Sequence, residues 1–249
     1  MSSRRAIALI AGAVTLLVGC LPAATASAAG QPSLTKSATH PLGNVALPGV
    51  VSAKPVSYTP NIFSGPACGK PCAKFSTPYA SVVVNGEVVV AGIFGEACTP
   101  ATVSYAECPA NVTADDILAF NPATGAIDQD FNPTFNADAT IYSLAAGPNN
   151  TVYVGGSFTT VDGTSEEGVA QLNVDPGQSN DGTLVPGFHA YTSGVVNAVA
   201  YDGADALYLG GVFSETDGVK TTPVSRVNAT TGALDTSFKF TLAGANGGA

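Results

Sequence analysis

The sequence contains no tryptophan, only two histidines, and a single methionine at its first position. Basic residues are also few: nine Lys and Arg against eighteen Asp and Glu, a formal net charge of −9 at pH 7. The scarcity of histidine leaves most His-based catalytic and metal centres without their parts. The acidic balance opposes binding to nucleic acid or to an anionic membrane. Beyond the first 20 residues no apolar run approaches the length of a membrane-spanning helix. Gly and Pro number 28 and 17, while 45% of residues are hydrophobic, enough to bury a sizeable core. Abundant Val, Thr and Gly, with little Leu, Lys or Glu, points to strands rather than helices.

Residues 1–28 read as an export signal: Arg4 and Arg5, then the apolar run Ala6 to Val18, then Ala26-Ser27-Ala28 as a small-x-small cleavage site after Ala28. A second reading takes Leu17-Val18-Gly19-Cys20 as a lipobox, with Cys20 lipidated as the first residue of an anchored protein. Removing Arg4 and Arg5 leaves the mature chain more acidic still. Residues 29–75, rich in Pro and Ser, read as a linker, a few of whose residues can pair with the edge of the first repeat. Setting Cys20 aside, Cys68, Cys72, Cys98 and Cys108 form an even set, which in an exported chain implies two disulfides. Local pairing (68 with 72, 98 with 108) comes first and crossed pairing between the clusters second. Cys-x3-Cys with a distant Cys-x9-Cys is a poor match to zinc-ligand spacing.

Self-similarity organises residues 76–240. Val90-Ala91-Gly92-Ile93-Phe94 returns as Val154-Gly155-Gly156-Ser157-Phe158 and as Leu209-Gly210-Gly211-Val212-Phe213. A second landmark keeps step with the first: Asn121-Pro122-Ala123-Thr124-Gly125-Ala126-Ile127-Asp128, ending at Phe131, and Asn228-Ala229-Thr230-Thr231-Gly232-Ala233-Leu234-Asp235, ending at Phe238. The middle copy is looser, with Asn173, an insertion and Phe188. The repeats run over about 76–136, 137–193 and 194–240, and residues 241–249 read as a Gly/Ala-rich tail or a truncation point.

Each repeat reads as four short strands. In the third, these are Val195 to Ala200, Leu207 to Gly211, Val224 to Asn228 and Leu234 to Phe238. Asn85-Gly86 between valine runs predicts a tight hairpin turn. Four-stranded units of this length, unable to cover both faces alone, predict an all-β fold of about three β-propeller-type blades in an incomplete ring. The paired glycines are expected where blades approach closely, and the Phe after them is expected to fill the gap between blades. A ring needs further blades, expected in a longer chain.

Tyr153-Val154-Gly155-Gly156-Ser157-Phe158-Thr159-Thr160-Val161-Asp162-Gly163, its copy Leu207 to Gly218, and the Asn-x-x-Thr-Gly-Ala-[Ile/Leu]-Asp segments resemble the delta-60-type repeat, an uncharacterised β-propeller repeat family of exported bacterial proteins. The resemblance covers about residues 76–240. The first copy departs from it: Ala91 replaces the first glycine, and 95–114 is an insertion holding Cys98 and Cys108. The resemblance implies a β-propeller and supplies no catalytic residues.

Residues suited to chemistry are few. His40 lies in the linker and His189 comes directly after Phe188; both read as surface residues, and no Gly-x-Ser-x-Gly elbow or P-loop is present. Asp115/Asp116, Asp128/Asp130 and Glu166/Glu167 are paired carboxylates of the kind a glycosidase needs. Asp128 and Asp235 recur at one repeat position, however, as turn residues do. The Asn-x-x-Thr-Gly segments bear a weaker likeness to the docking motif of quinone-dependent dehydrogenases, which requires a Trp this chain lacks. Asp175, Asn180 and Asp181 in the loop Asn173 to Gly182 offer oxygen ligands, but not at calcium-loop spacing. The expectation is therefore a non-enzymatic scaffold at the cell surface or outside the cell, without catalytic residues, metal or cofactor. It would bind a glycan or protein through Thr159 to Glu167, Ser214 to Thr222 and the insertion 95–114. A carbohydrate-active propeller enzyme is the alternative.

Overall fold

A computed structural model of the chain describes residues 59–63, 76–98 and 111–241. The signal with Cys20 and Ala28, most of the linker with His40, Cys68 and Cys72, Cys108 and the tail after 241 lie outside the described residues. Among the described residues every regular element is a strand, and no helix is long and apolar enough to cross a membrane.

Three antiparallel sheets correspond to the three repeats. The first is built from β2 (Thr77–Val84), β3 (Glu87–Ile93), β6 (Ile117–Phe120) and β7 (Ile127–Asp128), in that order. The second joins β8 (Ile141–Ala146), β9 (Thr151–Gly156) and β12 (Val169–Asn173). The third joins β13 (Val195–Tyr201), β14 (Ala206–Val212) and β17 (Val224–Asn228). Asn85 and Gly86 both take positive φ, 48° and 81°, as a type I′ turn demands, and close the β2–β3 hairpin. Each first pair of strands carries one bulge at the same register, beside Gly92, Gly156 and Gly211. The bulge strengthens local twist, so the three sheets twist alike and can stack.

The fourth strand is shorter than the sequence suggests. Only β7 forms two ladder pairs, with Ala119 and Phe120. In the other sheets it shrinks to single bridges, Leu172 with Leu184 and Val227 with Leu234. The cause is local: Asp235 folds the chain back two residues later, its Oδ1 accepting the Ser237 N–H (2.8 Å), as Asp128 accepts Asp130 N–H (3.0 Å). The Asn-x-x-Thr-Gly motif is the turn before that strand. Asn121 Oδ1 accepts the N–H groups of Ala123 and Thr124, and Asn228 Oδ1 those of Thr230 and Thr231.

The first strand of the middle sheet, β8, lies against β2 on one side and β13 on the other. Side chains alternate accordingly. Val89, Ala91, Ile117 and Ala119 of sheet one meet Ile141, Val152, Val154 and Leu172 of sheet two in one core. Tyr153 and Val169 of sheet two meet Val196, Val199, Leu207 and Leu209 of sheet three in another. These are β-propeller blades in an open arc. Phe158 and Phe213 enter these two cores as expected, whereas Phe94 packs with Leu118 and Ala97 on the face of blade one away from blade two. That face is covered by a small sheet of β1 (Asn61–Phe63), β4 (Glu96–Cys98) and β5 (Asn111–Thr113). The linker residues that pair therefore join the insertion rather than the edge of the blade. Cys98 is buried and disulfide-bonded; the other cysteines lie outside the described residues.

Candidate functional site

The two loops expected to bind are themselves hairpins, β10 (Thr160–Val161) with β11 (Thr164–Ser165), and β15 (Glu215–Thr216) with β16 (Val219–Lys220). The pair β4–β5 stands at the same place in the first repeat, so the 95–114 insertion is an enlarged version of one element. All three project from the end of the second strand of their blade.

Each of the two later hairpins is fastened to the tail of the preceding repeat. At the tip, Asp162 Oδ1 accepts the Thr134 N–H (2.8 Å) and its own N–H donates to Thr134 O (2.8 Å). Asp217 does the same with Tyr191 (3.0 and 2.9 Å), and its Oδ2 also accepts the Leu234 N–H (2.8 Å). At the base, Asn136 Oδ1 accepts the N–H groups of Thr159 and Thr160, and Ser193 Oγ those of Ser214 and Glu215. The Asp-Gly of the repeat signature is thus a clasp between repeats as well as a turn. Replacing Asp217 with Ala leaves two backbone N–H groups to solvent and is expected to lower stability by about 1–2 kcal/mol, read as a lower denaturant midpoint. Asp217→Asn, which keeps an acceptor, is expected to lose less.

His189 and Glu166 meet beside the first of these hairpins. His189 Nδ1 lies 2.8 Å from Glu166 Oε1, with the carboxylate almost wholly buried and the ring mostly exposed. Burial raises the Glu166 pKa and the His189 contact opposes the rise. His189 therefore does more than occupy surface, although nothing in its sequence neighbourhood marks a partner in another strand pair. Asp115 and Asp116 also join segments: Asp115 Oδ2 accepts the Phe135 N–H (2.8 Å) and Asp116 Oδ1 the Phe94 N–H (2.9 Å). Burial pushes Asp116 up to about 6.

A second polar cluster lies at the junction of blades one and two. Asp175 accepts from the side-chain amides of Asn150 (3.0 Å) and Asn180 (2.9 Å), and Asn85 reaches the carbonyl of Val174 (3.0 Å). Asp181 Oδ1 accepts the Asp175 N–H (2.8 Å). The loop's oxygens are thus engaged by amides. Asp181 is buried and its Oδ2 has no hydrogen-bond partner; burial foremost pushes it up to about 6, and the Asp128 carboxylate adds to the rise. Burial, and then Asp128, also raise Glu87, whose Oε2 is buried without a partner. Among the described residues no three His, Cys, Asp or Glu side chains are arranged to hold a metal ion.

The raised acids set a pH dependence. A carboxyl with a folded-state pKa near 6 and an ordinary unfolded value binds its proton more tightly when folded. The destabilisation is absent below about pH 4, grows as pH rises and is complete above about 6. The unfolding midpoint is therefore expected to rise on going from about pH 7.5 to about pH 5, read by thermal melts. Asp181→Asn, which removes the buried titrating group, is expected to raise the midpoint at the upper pH and flatten the profile.

Residues 147–175 match the model of a family described as a domain of unknown function (DUF5122) beta-propeller. This stretch is a β-propeller repeat. It spans β9, the β10–β11 hairpin and β12, and so contains the Gly-Gly-x-Phe signature and its Asp-Gly clasp. No curated protein matches the chain.

Proposed function

We propose that the chain is an exported, non-enzymatic β-propeller scaffold of the delta-60-type repeat family, which binds a glycan or a protein outside the cell through the hairpins of successive blades. The observation that carries this reading is the clasping of the two later hairpins at tip and base by Asp162, Asp217, Asn136 and Ser193. A recognition surface held in place before it meets its ligand loses little ordering entropy on binding. Export rests on the Arg4-Arg5 segment, the apolar run and the site at Ala28, with lipidation at Cys20 as the rival maturation. Two disulfides among Cys68, Cys72, Cys98 and Cys108 accord with that route.

The test is a glycan array and a panel of extracellular matrix proteins, probed with the purified chain. A captured ligand whose affinity falls about tenfold in a Thr164→Ala/Lys220→Ala variant, a loss of about 1.4 kcal/mol at unchanged melting midpoint, is the expected result. Turnover of a glycoside that Asp128→Asn abolishes would overturn the reading in favour of a carbohydrate-active enzyme. Asp181, whose carboxyl burial pushes up to about 6, is the acid such an enzyme would draw on.

A further inference from the structure

The face of blade three that points away from blade two repeats, position for position, a face that elsewhere is covered. On blade two, Tyr153 and Gly155 of β9 point toward blade three. Tyr153 donates its hydroxyl to Ala229 O of blade three (2.6 Å) and packs on Phe188 with ring centroids 5.5 Å apart. Gly155 is where the blades approach: a Cβ there would lie 2.8 Å from Val199 Cγ1 and 3.0 Å from Val196 Cγ1. On blade three the same register brings Tyr208 and Gly210 of β14 to the opposite face, where Tyr208 packs on Phe238 at 5.8 Å. Among the described residues, a Cβ on Gly210 would meet only Ala198 Cβ, at 3.8 Å. Val212 of the same strand is 72% exposed, and Val219 and Phe240, which line a depression with Phe238, are exposed at 45% and 36%. A glycine that no other blade approaches among the described residues, a tyrosine stacked as its covered counterpart is, and an apolar rim describe one half of a blade-to-blade contact.

We infer that this face of blade three is a docking surface for a further blade of the same repeat, one presenting an aliphatic pair at the positions of Val196 and Val199 and a carbonyl to the Tyr208 hydroxyl. The covered interface on blade two supplies the template and sets a repeat blade above the obvious rival. A second copy of this chain could offer only its blade one in that orientation. Blade one carries Pro78 and Ser81 where blades two and three carry Ile141/Leu144 and Val196/Val199. Part of its corresponding face, at Val90, Leu118 and Phe120, is packed with Ile62 and Ala97 of the β1–β4–β5 sheet, while Pro78 and Ser81 themselves stay exposed. The ion pair between Arg226 and Asp235, with the guanidinium 5.5 Å above Phe238, is internally satisfied and so can be covered without leaving a lone charge.

The test extends the full chain after Thr241 with a second copy of residues 194–240, whose Val196 and Val199 would then face Gly210. The melting midpoint is expected to rise by about 5 °C or more, with amide exchange slowed in both the appended repeat and β14. Gly210→Val is expected to abolish that rise while leaving the unextended chain unchanged, because only a docked blade makes the position tight. Val196→Ser/Val199→Ser, made in the appended copy alone, is expected to abolish it as well. An appended repeat that stays unprotected overturns the assignment, since the surface is what would order it. So does Gly210→Val destabilising the unextended chain equally. Concentration-dependent self-association of the unextended chain that protects β14 also overturns it, making a second copy the occupant.

Discussion

Gly211→Ala is expected to lower stability by about 4 kcal/mol or more, and the melting midpoint by about 10 °C. The added Cβ would stand 2.0 Å from the carbonyl oxygen of Val195, its partner strand's backbone, and 3.0 Å from Val196 Cα. A flexible side chain could turn aside, but backbone at a bulge cannot, so the β13–β14 pair would have to separate where it feeds the core between blades two and three. Gly163→Ala is the contrasting variant. Gly163 takes φ of +74° at the tip of the β10–β11 hairpin, with nothing within 4 Å of the added carbon. Its loss is the local left-handed strain of about 1–2 kcal/mol. If thermal melts ranked the two variants equally, the second glycine of the Gly-Gly pair would not be a site of close approach.

Phe158→Ala is expected to cost about 3–5 kcal/mol. The ring is 2% exposed between blades one and two and meets Phe135 edge-on, with centroids 5.0 Å apart and planes at 65°. Phe135 comes from the tail of the first repeat, so the lost volume sits where two repeats and their connecting segment meet, and no single element can collapse to fill it. Val212→Ala, one residue from the corresponding Phe213 but largely exposed, is expected to change stability by less than about 0.5 kcal/mol. Chemical denaturation of the pair separates a core that spans blades from general hydrophobic content.

Much of this architecture is legible in local signals. Val195 to Ala200, Leu207 to Gly211 and Val224 to Asn228 emerge as strands within a residue or two, because alternating Val and Leu between turn residues need no tertiary help. Asn85-Gly86 likewise carries its own conformation. The closing strand after Leu234 falls short of its sequence expectation because Asp235 and Ser237, which look compatible with extension, hydrogen-bond to each other and turn the chain. The hairpins at 160–165 and 215–220 do not show as hairpins in sequence because two-residue strands are too short to display a period. The clasp role of Asp162 is hidden because its partner, Thr134, lies 28 residues earlier. The Asp128–Asp181 and Glu166–His189 pairs are invisible for the same reason. Each partner looks ordinary in its own segment: stacking of blades one and two brings Asp128 near Asp181, whereas Glu166 and His189 meet by the folding of the second repeat on itself.

The clasps also bear on how such a chain lengthens. A block comprising residues 137–193 contains Asp162, which grips the residue group before it, and Tyr191, which offers the next Asp its grip. Any tandem duplicate of that block would therefore arrive with both halves of its fastening already encoded. Growth by whole units would need no compensating change elsewhere, whereas a cut inside a unit would leave one clasp without its mate.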